Sequence, residues 1–233
     1  MKISAIIVAA GSSRRMGFDK LEADLDGESV LTRSLLVFQA CPEVGEIWVV
    51  TNPEKFDAIE ATAARLEINR FAGTIEGGAE RHLSVSAGLE RVGDDFDLVA
   101  VHDGARPLVS AAAIARCANE ASRVGAATLA HRVADTLKRG NDDLEVCGAV
   151  SRENLWAMET PQIFQRELLR KAYAKVLADG EIVTDEVSAM EAIGVSVSLV
   201  ENTEPNLKIT VPGDLVVAAA ILRGGAESFP TVA

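Results

Sequence analysis

Ile3-Ser4-Ala5-Ile6-Ile7-Val8-Ala9-Ala10-Gly11-Ser12-Ser13-Arg14-Arg15-Met16-Gly17-Phe18-Asp19-Lys20 runs from an apolar strand into small residues and then into fixed positive charge. Where the strand stops, small side chains let backbone N–H groups approach a ligand closely, and arginines and a lysine follow within the same loop. This is the make-up of a phosphate site. Arg15 offers a planar fork to phosphate oxygens and Lys20 a mobile point charge, while strand-like alternation turns Arg14 away if Arg15 points in. The loop contains neither G-x-x-x-x-G-K-[ST] nor G-x-G-x-x-G, which weakens the generic ATPase and dinucleotide readings.

Outward from this loop, apolar runs and helix-period segments alternate through most of the chain, the pattern of βαβ units around a mostly parallel sheet. Strands are expected over 3–9, 46–51, 72–75, 98–102, 126–130 and 195–200. Helices are expected over 30–39, 54–66, 81–92, 111–124, 166–177, 185–193 and 213–222, the last behind Pro212. Ligands of such sheets lie beyond the carboxyl ends of the strands. Three exits should therefore converge: Gly11 to Lys20, Gly77-Gly78 with Arg81 and Ser84, and Asp103-Gly104-Ala105-Arg106-Pro107. Between about 132 and 152 the pattern changes to two short extended segments around Arg139-Gly140-Asn141-Asp142-Asp143, an inserted β-hairpin. A lone hairpin is marginal in water, so it should pack on its own body or on a second subunit. The whole of residues 1–233 reads as one domain.

With 35 acidic against 23 basic residues the net charge is −12, which argues against non-specific binding to nucleic acid or an anionic membrane surface. A polyanionic small ligand must then be met by local cations. Cys41, Cys117 and Cys147 are odd in number and widely spaced, predicting buried thiols in a reducing cytoplasm rather than disulfides or a zinc site. Lys2 and the apolar run after it mimic a signal peptide, but the run is at the short limit for one, and cleavage near Ala10 would remove the most distinctive loop. No apolar stretch approaches the roughly 18 residues of a membrane span.

Asp103, after the apolar run 98–102, is placed to meet Mg²⁺, which takes carboxylate and phosphate oxygens together; a turn or helix-cap carboxylate is the alternative. His102, His82 and His131 read as structural. Gly77-Gly78 serves either close backbone approach or a plain turn, and Asp185 and Glu186 read as the acidic opening of a helix.

Six motifs in order resemble those of the 2-C-methyl-D-erythritol 4-phosphate cytidylyltransferases. They are Ala9-Ala10-Gly11-x-x-x-Arg15-Met16 with Lys20, Gly77-Gly78-x-x-Arg81-x-x-Ser84-Val85, His102-Asp103-Gly104-Ala105-Arg106-Pro107, Thr160-Pro161-Gln162, Thr184-Asp185-Glu186 and Asn206-Leu207-Lys208-Ile209-Thr210. The match spans Ile3 to about Leu222. The resemblance implies a three-layer, Rossmann-like α/β nucleotidyltransferase fold whose hairpin is a dimerisation arm. It implies that a phosphate oxygen of methylerythritol phosphate attacks the α-phosphorus of CTP and that pyrophosphate leaves, with Mg²⁺ assisting. By the same resemblance Arg15, Lys20 and Lys208 are catalytic, and Ala9, Ala10, Gly11, Ser13, Gly77, Gly78, Arg81, Ser84, Asp103 and Gly104 bind the nucleotide, Asp103 also meeting the metal. Arg106, Thr136, Arg152, Thr160 and Lys208 are implied for the acceptor, Thr136 and Arg152 reaching across a homodimer.

Ribitol 5-phosphate is the nearest rival acceptor. A non-catalytic nucleotide-sugar binder would keep the glycines without needing Lys20, Asp103 and Lys208 together, and a nicotinamide-dependent enzyme lacks its fingerprint. The chain departs from the family pattern at Ser13, Ala79, Ser151 and Pro205, carries Asp19 where a proline usually precedes the lysine, and has a shorter loop between Met16 and Lys20. No fused downstream synthase is expected after Leu222.

Overall fold

β1 (Ile3–Val8) is enclosed at its first five positions, between parallel partners β4 (Val44–Thr51) and β6 (Leu98–Asp103). This is a computed structural model, and it describes residues 1–11 and 16–224. The pleat of β1 divides the core into two layers, with Ile3, Ala5 and Ile7 on one face and Ile6 on the other. The first face is covered by α1 (Val30–Ala40), α2 (Phe56–Arg65), α4 (Ala111–Val124) and α7 (Pro212–Gly224). The second is covered by α3 (Arg81–Leu89), α5 (Arg166–Asp179) and α6 (Glu186–Ala192). The result is the three-layer α/β arrangement with a mostly parallel sheet.

The sheet has seven strands in the order β11 (Ser198–Glu201), β7 (Ala126–Arg132), β10 (Trp156–Gln165), β6, β1, β4 and β5 (Phe71–Glu76). Every neighbouring pair is parallel except those of β10, which runs antiparallel to both β6 and β7. The exits of β1, β4, β5, β6, β7 and β11 therefore share one edge. Helix ends are set by local chemistry. In α4, the Ser110 hydroxyl accepts from the Ala113 N–H, Ala113, Ile114, Cys117, Ala118 and Ala121 form the buried stripe, and Gly125 closes the helix at φ 97°.

β10 does not follow from periodicity, because Glu159, Thr160, Pro161 and Gln162 interrupt the apolar pattern. Proline is tolerated in a sheet where the ladder is broken, and the register with β7 is irregular between Met158 and Gln162, the interval holding Pro161. The short hairpin of β2 (Asp24–Leu25) and β3 (Glu28–Ser29) turns on Asp26 and Gly27 at φ 58° and 90°. That Asp-Gly pair was its visible signal. β11 begins at Ser198, later than expected.

The inserted arm is a separate two-stranded sheet, β8 (Leu137–Gly140) against β9 (Val146–Val150). Leu144 and Val146 on it are 94% and 70% exposed. Cys41 and Cys117 are buried, whereas Cys147 is exposed on β9, a correction to the expectation for that thiol, since an arm this thin has no interior. No described helix is long and apolar enough to cross a membrane.

Candidate active site

The shared sheet edge holds a cleft of about 380 Å³ bordered by residues 8–11, Lys20, Leu21, residues 78–81, Ser84, Asp103, Ala105 and Lys208. Asp103 is its electrostatic centre. One carboxylate oxygen accepts from Lys208 Nζ at 2.7 Å, the other from Arg81 Nη2 and Nε at 3.3 and 3.4 Å, and Arg106 Nε stands 3.9 Å away. Burial alone would raise the Asp103 pKa, but Arg81, Lys208 and Arg106 outweigh it and hold the carboxyl well below the usual carboxylate range. Arg81 is gripped from behind by a bidentate ion pair to the fully buried Glu186, at 2.6 and 3.0 Å, and Tyr173 donates to the same carboxylate at 2.9 Å.

The backbone N–H of Asp103 donates to Thr160 Oγ1 at 3.0 Å, and that hydroxyl also meets His102 Nδ1 at 3.1 Å. His102 Nε2 lies 3.1 Å from the Arg106 carbonyl, which can only accept, so Nε2 carries the proton and Nδ1 accepts from Thr160. Burial lowers the His102 pKa to about 4 against the pull of Asp103, in keeping with this neutral ring. The folded protein thus refuses a proton that the unfolded chain takes near pH 6.5. Stability should therefore be whole above that pH and fall as pH drops from 6.5 to about 4, by an expected ~3 kcal/mol in all. Denaturant titrations at intervals between pH 7 and pH 4 should show this slope in the wild type and a shallower one in His102→Gln; equal slopes would exclude the ring as its source.

The first loop reaches the same place from the opposite wall. Lys20 Nζ donates to the Ile209 carbonyl at 2.8 Å, and Ile209 N–H donates to Ala105 O at 2.8 Å. Asp19 fixes the turn by accepting from Leu21 N–H at 3.0 Å, and Lys55 pairs with both Asp19 and Glu22. An ion pair thus braces the residue before Lys20, where the family pattern has proline.

A second, wider hollow of about 580 Å³ opens beside the cleft, bordered by Arg106, His131, Glu159, residues 202–208, Val217 and Ile221. Lys208 borders both hollows. Glu159, nearly fully buried, ties this second region together by accepting from His131 Nδ1 at 2.7 Å, Asn202 Nδ2 at 2.9 Å and Asn206 Nδ2 at 2.8 Å. Arg106 donates to the Asn206 and Met158 carbonyls at 2.7 and 3.3 Å, so its fork braces the 202–208 segment.

Two hollows that share a lysine at their border suit a reaction between two anionic molecules. The family model for 2-C-methyl-D-erythritol 4-phosphate cytidylyltransferase matches residues 3–224. The chain belongs to that family. It is 39% identical to the 2-C-methyl-D-erythritol 4-phosphate cytidylyltransferase of Caldanaerobacter subterraneus subsp. tengcongensis, over 96% of this chain and 100% of that one. Among solved structures it superposes on 4-diphosphocytidyl-2C-methyl-D-erythritol synthase from Anaerococcus prevotii with a TM-score of 0.83 at 30% identity, covering 95% of this chain and 96% of that one. The cytidylyltransferase from Thermus thermophilus gives 0.81 at 32% identity, covering 96% and 100%.

Against the cytidylyltransferase motifs, the structure brings Ala9, Ala10, Gly11, Lys20, Gly78, Arg81, Ser84, Asp103 and Lys208 to one cleft. Ser13, Arg14 and Arg15 lie outside the described residues. Gly104 is buried and outside the cleft lining; a Cβ there would stand 3.1 Å from Leu31 Cδ1 and 3.3 Å from Val8 O, while its neighbour Ala105 borders the cleft. Gly77 also stands back from the cleft lining. A Cβ there would come within 2.5 Å of Ala10 Cβ, so glycine lets the two loops touch. Thr160 borders neither hollow; its buried hydroxyl meets His102 Nδ1 and the Asp103 N–H. Thr136 and Arg152 are exposed at the base of the arm and border neither hollow within this chain.

Glu159 escaped the sequence reading, and Glu186, which does open α6 as expected, has a second role that the sequence did not show. Asp185 does cap α6, accepting from Ser188 N–H, but Glu186 turns inward to Arg81. Nothing local marks it, because its partner is 105 residues away. Among the described residues no three His, Cys, Asp or Glu side chains gather as a metal cluster. Asp103 is the one hard oxygen donor in the cleft among itself, Lys208 and Arg81, and since those two cations engage both its oxygens, a divalent cation would share one of them and take its other ligands mostly from phosphate oxygens.

Proposed function

We propose that the cleft around Asp103 takes the triphosphate of CTP, that the wider hollow takes 2-C-methyl-D-erythritol 4-phosphate, and that Lys208 serves the junction. The reaction transfers CMP from CTP to the acceptor, giving 4-CDP-2-C-methyl-D-erythritol and pyrophosphate, in non-mevalonate isoprenoid synthesis. The observation that carries this reading is the position of Lys208, on Asp103 and bordering both hollows.

An acceptor phosphate oxygen attacks the α-phosphorus and the bond to pyrophosphate breaks. The nucleophile is already anionic, so no general base is required, and the site's task is alignment and stabilisation of charge on the transferring group. Lys20, with Arg15, meets the α-phosphate oxygens as charge builds there. Lys208 meets the acceptor phosphate. The backbone of residues 9–11 and Gly78 frames the nucleotide. Asp103 would hold Mg²⁺, which when bound with the nucleotide offsets phosphate charge.

The arm is read as a dimerisation element that carries Thr136 and Arg152 to the partner's acceptor hollow. Its exposed Leu144 and Val146 support this, as does its lack of any strand partner beyond itself among the described residues. The chain is taken as one catalytic domain over residues 1–233, working in the cytoplasm.

Pyrophosphate release with CTP and Mg²⁺ tests the reading, comparing methylerythritol phosphate with ribitol 5-phosphate on protein whose mass is read by sedimentation. Release is expected with the first acceptor from a dimeric enzyme. Preference for ribitol 5-phosphate would change the acceptor, no release with either would favour a binding protein, and full activity in a monomer would remove the arm's role.

A further inference from the structure

Glu186 is a carboxylate with no exposed surface, on the helical layer behind the cleft. Its backbone N–H and that of Val187 donate to Gln162 Oε1 at 3.0 and 3.1 Å, which locks the start of α6 to β10. Its side chain takes both terminal nitrogens of Arg81 and the hydroxyl of Tyr173. A buried ion pair is a poor source of stability compared with apolar packing, so its placement behind a reactive cleft asks for another reason. Arg81 stands between two carboxylates. Its outer edge meets one oxygen of Asp103 and leaves the other to Lys208 at 2.7 Å.

We propose that Glu186 is a positioning residue for nucleotidyl transfer: by clamping Arg81 from behind, it restricts that guanidinium to one Asp103 oxygen and so reserves the other for the Lys208 ammonium. Without the clamp, Arg81 has Asp103 as its remaining carboxylate and takes both oxygens in the bidentate geometry that arginine favours. Lys208 is then displaced from the junction of the two hollows. The charge order runs Glu186, Arg81, Asp103, Lys208, with each ion fixing the next, and the last three border the cleft. Burial works against the Arg81 charge, but Glu186 and Asp103 together overcome it.

The inference rests on the proposed function, and its test separates the two, because an inactive wild type with CTP and methylerythritol phosphate would fail the function itself. The measurement is kcat from pyrophosphate release at saturating substrates, normalised to folded protein by circular dichroism, for Glu186→Gln, Lys208→Ala and the double variant. Glu186→Gln is expected to lower kcat by roughly tenfold to a hundredfold, the penalty of misplacing a group by about an ångström. In the double variant the losses should not multiply: kcat should stay within about threefold of Lys208→Ala alone, since one residue acts through the other. Glu186→Asp, which keeps the charge, should regain part of the loss, and it replaces Glu186→Gln in the cycle should the latter not fold. Tyr173→Phe should lower the melting temperature and leave kcat within about twofold, since it spares the ion pair. Multiplying losses, or wild-type kcat in folded Glu186→Gln, would overturn the proposal and leave Glu186 a purely structural residue.

Discussion

Lys20→Ala is expected to lower kcat by about 10²- to 10³-fold, the range for removing one preorganised group that stabilises transition-state charge. Lys20 Nζ is held at 2.8 Å from the Ile209 carbonyl, one residue from Lys208, so the first loop and the 202–210 segment are joined across the cleft. Phosphoryl and nucleotidyl transfer leave little for a covalent catalyst to do, and loss of a positioned cation therefore acts on the barrier directly. Binding of CTP should weaken less than turnover, because charge on the α-phosphate oxygens grows only as the transition state is reached. The variant should fold: the bond to Ile209 is a partly buried side-chain bond worth about 1 kcal/mol. Steady-state kinetics beside a thermal melt check both halves. A Lys20→Ala enzyme with more than about a tenth of wild-type kcat would remove the residue from the catalytic set, since the principle invoked predicts far more.

The frame of this molecule was open to reading because its strands carry their own signal. In β1, β4, β6 and β7 apolar runs stop at small, polar or charged residues, and α4 shows its stripe of small apolar residues at helical spacing. β10 was not open to reading, because Glu159, Thr160 and Gln162 are polar and yet nearly fully buried; what suits them to a central strand is partners on other elements. The same physics hides Glu186. A buried charge is tolerated only where distant residues neutralise it, and sequence spacing says nothing of those partners. The convergence of the strand exits on one cleft was legible, since a parallel sheet sends all its exits to one edge. Which of their residues line that cleft was not legible. Gly104 and Ala105 are adjacent, and only the direction of the turn after β6 sends the first into Leu31 and leaves the second on the cleft.

Asp103→Asn should damage stability and turnover together, for different reasons. Asparagine keeps the size, and its backbone N–H can still donate to Thr160, but the charge that faces Arg81, Lys208 and Arg106 is gone. Leaving buried cations without their counter-charge costs about 3 to 5 kcal/mol when one partner of such a pair is removed. Arg81 retains Glu186, which places the expected loss near about 3 kcal/mol, the lower end of that range. The sign of the pH dependence follows from the lowered pKa: the folded state favours the ionised carboxyl, so this stability is present above the ordinary value of 3.8 and is lost only in stronger acid. Wild type and variant should therefore differ by a constant amount in denaturant titrations from pH 6 to pH 8. Turnover should fall at least about a hundredfold, because Lys208 loses the contact that fixes it at the junction. A titration with Mg²⁺ then separates the two roles of the carboxylate. If Asp103 helps to hold the cation, the half-saturating Mg²⁺ concentration should rise roughly tenfold or more, as it does when a ligand of a hard cation is lost. An unchanged Mg²⁺ requirement with the same loss of kcat would assign Asp103 to bracing Lys208 and Arg81 alone, leaving the cation to the phosphates.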